Sequence, residues 1–266
     1  MRFAFCILAS LVLSLSSAHA DEKPSPLERH LARTATHQGP VGWDGFPVGT
    51  SVEHKTTTVM DVAAPGAKPV TGHARQRLTQ ASPAGRTIER ASRADATQPW
   101  RTFPARARPV TARAAQPTRT VEGPTKVTVA GVEHTCREIV WRVTRRGTPI
   151  DLLRVCVHPE HGVLRWVHRD GNWTSTYTAT RLTVPFKLGA RRLTCRAFQR
   201  VAIDSQRSAR MESVELWSAA VPDWIVRSKT TSSFAMGGRT RKTSQTREVI
   251  ALAVPEAKTP AGSSGR

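Results

Sequence analysis

From residue 125 to residue 254 apolar and polar positions alternate with a period of two, in a stretch rich in Thr and Val and lacking any helical stripe. That period predicts strands that each turn one face to a core. In 136–143 the odd positions Ile139, Trp141 and Val143 are apolar, and in 150–157 so are Leu153, Val155 and Val157. Between these runs, Arg145-Arg146-Gly147-Thr148 reads as a hairpin turn. The run 163–169 then passes through Asp170-Gly171, a strong hairpin signal, into 173–184.

The second half of the region repeats the first. One copy opens Gly131-Val132-Glu133-His134-Thr135-Cys136-Arg137, and the other opens Gly189-Ala190-Arg191-Arg192-Leu193-Thr194-Cys195-Arg196. Each continues through two alternating runs, a Pro-containing corner and two more runs, which in the second copy are 224–235 and 239–254 around Gly237-Gly238. Each copy is thus a four-stranded meander, over 124–187 and 188–254. Two such units must bury their apolar faces against each other or against a third element.

Ahead of the repeats the pattern is less regular. Residues 21–40 are polar, with a short helix expected from Ser25 through Leu31 to Arg33. Residues 41–93 hold a turn-rich lead and three strands, at 51–62, 69–80 and 85–93, which brings the expected total to about eleven. Between 94 and 123 the period fails, and Pro99, Pro104, Pro109 and Pro117 punctuate Arg, Ala, Thr and Gln. Such a tract buries too little apolar area to offset the entropy of ordering it, and it is expected to be a flexible insertion. Residues 255–266 read as a disordered tail.

The repeats also predict a register. Pairing the first two strands of copy one about residue 146 sets Ile139 opposite Leu153, Glu138 opposite Arg154 and Cys136 opposite Cys156, so that apolar and ionic partners match together. The same operation on copy two, about residue 206, sets Arg200 opposite Glu212, Phe198 opposite Val214 and Cys195 opposite Trp217. A Cys136–Cys156 disulfide with Cys195 left as a thiol is therefore expected.

Gly45-Phe46-Pro47-Val48-Gly49-Thr50-Ser51-Val52 resembles the opening "GF-x-VGS-x-V" strand of a group of exported bacterial proteins. The segments 155–165 and 215–227 resemble the "WVS-x-EVPGGVVK" hairpin corner that recurs in that group. Its members are similar in fold to the outer-membrane lipoprotein carriers (LolA/LolB-like). The resemblance implies a mainly β protein whose curled antiparallel sheet, a half-barrel of about eleven strands, wraps an apolar cavity. It spans roughly residues 42–93 and 125–254.

Residues 1–20 read as a secretory signal peptide: Arg2, an apolar run over 3–15, and Ala18-His19-Ala20 before Asp21. The apolar run is too short to span a bilayer, so the expected product is exported, to the periplasm or beyond the cell, and does not span the membrane. Three cysteines follow the signal, Cys136, Cys156 and Cys195, and an odd count in an oxidising compartment fits one disulfide and one thiol.

Lys and Arg number 40 against 20 Asp and Glu, for a net charge of +20. Ordinarily that points to a polyanion. Here 32 of the 40 are Arg, Ala is abundant and Asn172 is the single Asn, a skew that fits a GC-rich genome. An exported chain rarely meets nucleic acid, so no specific nucleic-acid partner is assigned and attraction to anionic envelope surfaces is the stronger reading.

His158-Pro159-Glu160-His161 with His168 nearby carries ligand types that suit zinc. Pro159 sits at a strand corner, however, and an ordinary turn accounts for the residues, so no metal and no cofactor is assigned. Cys136 with His134 lacks an orienting third residue, and neither a Gly-rich phosphate loop, paired acids on one element nor a Ser-His-Asp set is present. No catalytic residue is assigned. Trp141, Trp166, Trp173, Trp217 and Trp224 fall within the repeats and are the candidates to line an apolar site. The expected function is a non-enzymatic binding protein for a lipid or other hydrophobic ligand. The alternative is a basic envelope-surface protein holding anionic polymers or headgroups through Arg-rich segments.

Overall fold

The computed structural model describes residues 24–35, 42–60, 66, 68–82, 85–109, 117–145, 147–236 and 239–255. The expected signal peptide and nearly all of the expected C-terminal tail lie outside them. One short helix, α1 (Pro26–Ala35), precedes thirteen strands: β1 (Ser51–Val59), β2 (Pro69–Ser82), β3 (Gly85–Arg93), β4 (Arg101–Pro109), β5 (Thr118–Val129), β6 (Val132–Arg145), β7 (Thr148–His158), β8 (Gly162–Asp170), β9 (Trp173–Leu188), β10 (Arg191–Asp204), β11 (Arg210–Trp217), β12 (Ile225–Met236) and β13 (Arg239–Ala253).

All thirteen form one antiparallel curled sheet that does not close into a barrel, in the order β4-β3-β2-β1-β13-β12-β11-β10-β9-β8-β7-β6-β5. The two repeats are the meanders β6–β9 and β10–β13. Each opens at the glycine of a two-residue hairpin loop. Val129 pairs with Val132 around Ala130-Gly131, and Leu188 pairs with Arg191 around Gly189-Ala190. Gly131 and Gly189 have φ of 84° and 58°, a left-handed conformation that costs glycine least.

The strand count exceeds the expected eleven because the tract 94–123 holds β4 and the start of β5. The flexible-insertion reading is corrected there, while residues 110–116 lie outside the described set. Pro and Arg are tolerated in β4 because it is an edge strand. An edge has unpaired positions where a missing N–H costs little, and charge discourages further pairing. Trp100, just before β4, packs beneath Arg75 and Arg93, whose guanidinium carbons lie 4.7 and 4.3 Å from its ring centroid.

The expected disulfide is also corrected. The β6–β7 turn pairs Arg145 with Thr148, one residue off the expected register, and a bulge between Trp141 and Arg142 adds a second, so Glu138 faces Cys156 and Ile139 faces Val155. A slip of two residues keeps each side chain on its face but takes Cys136 away from Cys156. Both are buried free thiols, as is Cys195. The Glu138–Arg154 ion pair survives as a diagonal contact at 3.0 Å. In β10–β11 the slip is one residue, which exchanges faces: Phe198 pairs with Glu215, Val214 is exposed and Glu215 is buried.

Among the described residues the buried apolar side chains form two clusters. The first joins α1 (Leu27, Leu31) to Val155, Trp166, Phe198 and Trp217. The second gathers Trp43, Val52, Leu78, Leu193, Val226 and Val249. Among the described residues no helix is long and apolar enough to cross a membrane.

Candidate functional site

The aromatic part of the first cluster gathers rings from β8, β9, β10 and β11. Trp166 on β8 stacks on Tyr177 of β9, with ring centroids 4.3 Å apart and planes 11° from parallel. Edge contacts from Trp166 reach Phe198 at 4.8 Å and Trp217 at 5.2 Å. Adjacent strands present these rings on one face because side chains alternate, and offset or edge-on aromatic pairs add to the gain from burial.

Polar groups are set into this apolar wall. Glu215 accepts hydrogen bonds from Ser213 Oγ at 2.7 Å and Trp217 Nε1 at 2.8 Å. The Arg200 guanidinium lies over the Tyr177 ring, 5.3 Å from its centroid, and donates to Ser175 Oγ at 3.2 Å. Burial, with the Glu215 charge behind it, raises the Tyr177 phenol above its usual range, so it stays a neutral hydroxyl.

Helix α1 covers part of this wall, and its sequence explains why. Ser25 caps it, accepting from the Glu28 amide at 3.2 Å, and Pro26 occupies the first turn, where no donor is missed. Leu27, Leu31, Ala32 and Ala35 then share the buried face. Glu28 is 2% exposed and pairs with Arg119 Nε at 2.9 Å, tying the helix to the edge strand β5. His30 lies 5.2 Å from the Trp224 ring and edge-on to Trp217 at 6.1 Å. Burial above all pushes the His30 pKa down to about 4, although Asp44 pulls the other way.

The expected lining residues divide. Trp166 and Trp217 are buried in the cluster and touch each other, whereas Trp141 and Trp224 pack half-buried against it. Trp173 begins β9 opposite Asp170 and Asp204 and belongs to neither cluster. Tyr177, Phe198, His30 and Glu215 are at the site but were not among the expected residues. The signal for Glu215 was reversed, since the apolar Val214 beside it appeared to face inward. Two ring nitrogens at the site, His30 Nδ1 and Trp141 Nε1, are buried with no hydrogen-bond partner among the described residues.

A second polar pair joins the neighbouring strands β1 and β13. Arg247 Nη2 lies 2.9 Å from His54 Nε2. Burial first, and Arg247 second, lower His54 to about 3, so the ring is a neutral acceptor. Of the histidines in the corner motif, His158 and His161 lie together and His134 joins them from β6. His168 is on β8 opposite Leu153 and Ser175.

No protein-family model and no curated protein matches this chain. Among solved structures, a Bacteroides fragilis protein described as exported and of YmcC-like fold aligns over 78% of this chain and 97% of its own. Identity there is 10% and the TM-score 0.32. The hypothetical lipoprotein YmcC of Escherichia coli aligns over 88% of this chain and 100% of its own, at 8% identity and a TM-score of 0.27.

Proposed function

We propose that this is an exported, non-enzymatic binding protein that takes a lipid or other hydrophobic ligand on the inside of its curled sheet, between α1 and the aromatic wall. The lipoprotein-carrier-like motifs read in the sequence point the same way. The observation that carries the reading is the pair of buried, unpartnered ring nitrogens, His30 Nδ1 and Trp141 Nε1, on residues that pack against the aromatic cluster. A buried donor without an acceptor costs about 1–3 kcal/mol, and native proteins leave few such groups without a reason. A ligand with an apolar body and a carbonyl or carboxylate oxygen satisfies the indole N–H while its chain lies against Trp166 and Trp217. Sites of this kind are mostly apolar with a few placed polar groups.

The test is protein purified without detergent and analysed by lipid extraction and mass spectrometry, followed by titration with a fluorescent fatty-acyl probe. Expected are co-purified lipid and saturable probe binding that changes little with salt, because apolar burial is not screened. Trp141→Phe keeps most of the packing and removes the donor, and should weaken the probe about five- to tenfold. A folded protein that retains no lipid and binds no probe overturns the reading. Steeply salt-dependent binding to acidic polymers would then favour a basic envelope-surface role instead.

A further inference from the structure

We propose that His134, His158 and His161 form a binding site for a divalent transition-metal ion of the zinc class. Their ligand nitrogens all lie within 4.8 Å of one another. The rings of His158 and His161 are stacked, 4.6 Å apart and 14° from parallel, and His134 stands edge-on to both, at 5.2 and 5.3 Å. All three are half-buried.

The local fold explains how residues 24 positions apart meet. His158 ends β7 and pairs with Gly162, the first residue of β8, so Pro159-Glu160-His161 form the whole turn. The β6–β7 pairing stops at Arg137–Val157, and β6 runs on past the end of β7, bringing His134 alongside that turn. A turn alone accounts for His158, whose Nδ1 accepts from the amides of Glu160 and His161, each at 3.2 Å. It does not account for the other two, whose rings make no hydrogen bond among the described residues.

The donor set selects the ion. Imidazole suits zinc, copper and nickel, whereas calcium and magnesium demand oxygen ligands. Two zinc–nitrogen bonds of about 2.0–2.1 Å at a tetrahedral angle hold their nitrogens about 3.3 Å apart. The widest separation allowed here, 4.8 Å, therefore has to close by about 1.5 Å, which calls for rotation of surface side chains rather than of strands. A neutral imidazole has one acceptor nitrogen, and in His158 it already serves the two amides, so binding an ion means giving up those contacts, and loading and turn conformation are coupled. Of the nearby charges, the Glu160 carboxylate in the turn favours a cation. The Arg196 guanidinium, which donates to the Val163 carbonyl at 3.4 Å, opposes it. Three imidazoles leave a fourth position for water or an outside ligand, the arrangement of an open zinc site.

The full chain without a histidine tag, titrated calorimetrically with zinc and spectroscopically with cobalt, tests this. Expected are one ion per chain and d–d absorption of a nitrogen-rich, low-coordinate cobalt site. His134→Gln and His161→Gln should each weaken zinc by at least about tenfold and abolish the cobalt band, with circular dichroism unchanged. Absence of saturable one-to-one binding in the unmodified protein overturns the proposal. So does binding that survives both variants, or an equal loss from His168→Gln.

Discussion

The two repeats reach their corners with matching strands and make opposite use of them. In copy one, β7 and β8 are joined by three residues, and the turn holds imidazoles at the surface. In copy two, β11 and β12 are joined by the seven residues Ser218 to Trp224. This corner folds back on itself: Ser218 N donates to Trp224 O at 2.8 Å and Trp224 N to Val221 O at 3.2 Å. It buries Val221 completely and sets Trp224 against His30 of α1. Asp223 and Trp224 adopt φ of 61° and 64°, a conformation that costs non-glycine residues roughly 1–2 kcal/mol each. The same supersecondary unit thus ends once in a polar surface and once in a strained knot that fastens the N-terminal segment. Duplicated strands fix a scaffold, and divergence is concentrated where two strands are joined.

That contrast is most exposed to substitution at its glycines. A Cβ on Gly42 would come within 2.6 Å of both Cα and N of Asp223, with Gly42 at φ +133°. Neither backbone can yield cheaply, so Gly42→Ala should cost roughly 2–4 kcal/mol. At the first corner, Gly162→Ala meets only Arg196 Nη1, at 3.6 Å, and strains a φ of +65°. It should cost about 1 kcal/mol. Urea denaturation midpoints measure both, and equal losses would erase the distinction between a docked corner and a free one.

Acid should separate the corners next. His30, held to about 4 when folded, accepts a proton at the ordinary value near 6.5 when the chain unfolds. Between those values the unfolded chain binds more protons. The stability due to His30 is therefore complete above about 6.5 and falls as pH drops toward 4, by up to about 1.4 kcal/mol per pH unit. His54, lowered to about 3, contributes in the same sense over a longer range. His30→Gln should flatten the slope between pH 4 and 6.5 in denaturant titrations, and His158→Gln should change it less. An unaltered slope in His30→Gln would show that the second corner does not bury its imidazole.

The smallest effect expected is none. With Cys136, Cys156 and Cys195 free, reductant should leave the melting temperature unchanged. A thiol count on the denatured, unreduced protein should find all three. Burial pushes Cys156 up to about 11, and the other two are raised for the same reason, so all three should react slowly with alkylating agents in the folded state. A shift on reduction would restore the cross-link that the register removes.

Much of this was legible in the sequence and some was not, for physical reasons. Period-two alternation found β6 to β13 and their turns, since a half-buried strand cannot hide its face. The short helix expected from Ser25 to Arg33 is α1, Pro26–Ala35. β4 was missed because an edge strand need not be apolar or free of Pro. Register depended on features without a sequence signature: a bulge at Trp141–Arg142, and a turn over 205–209 in which Asp204 Oδ1 accepts from the amides of Gln206 and Arg207. A slip of two left Ile139 and Leu153 on their faces; a slip of one put Glu215 where Val214 was expected. The aromatic site was half visible, because tryptophans announce themselves while Tyr177, Phe198 and His30 join them only through pairing. The histidine cluster was legible as His158 and His161 but not as three residues, since His134 reaches it only where β6 overruns β7.

The strand order has a mechanical consequence. β4 and β5 follow one another in the chain yet stand at the two opposite edges of the sheet, so among the described residues no strand pairing joins the edges and the covalent chain is what links them. Nine residue steps separate Pro109 from Thr118, and a fully extended chain covers at most ~3.3–3.6 Å per step. The ends of the two edges can therefore part by no more than about 30 Å. The opening of the curl has a hard stop at this end, and a single protease cut between β4 and β5 would remove it.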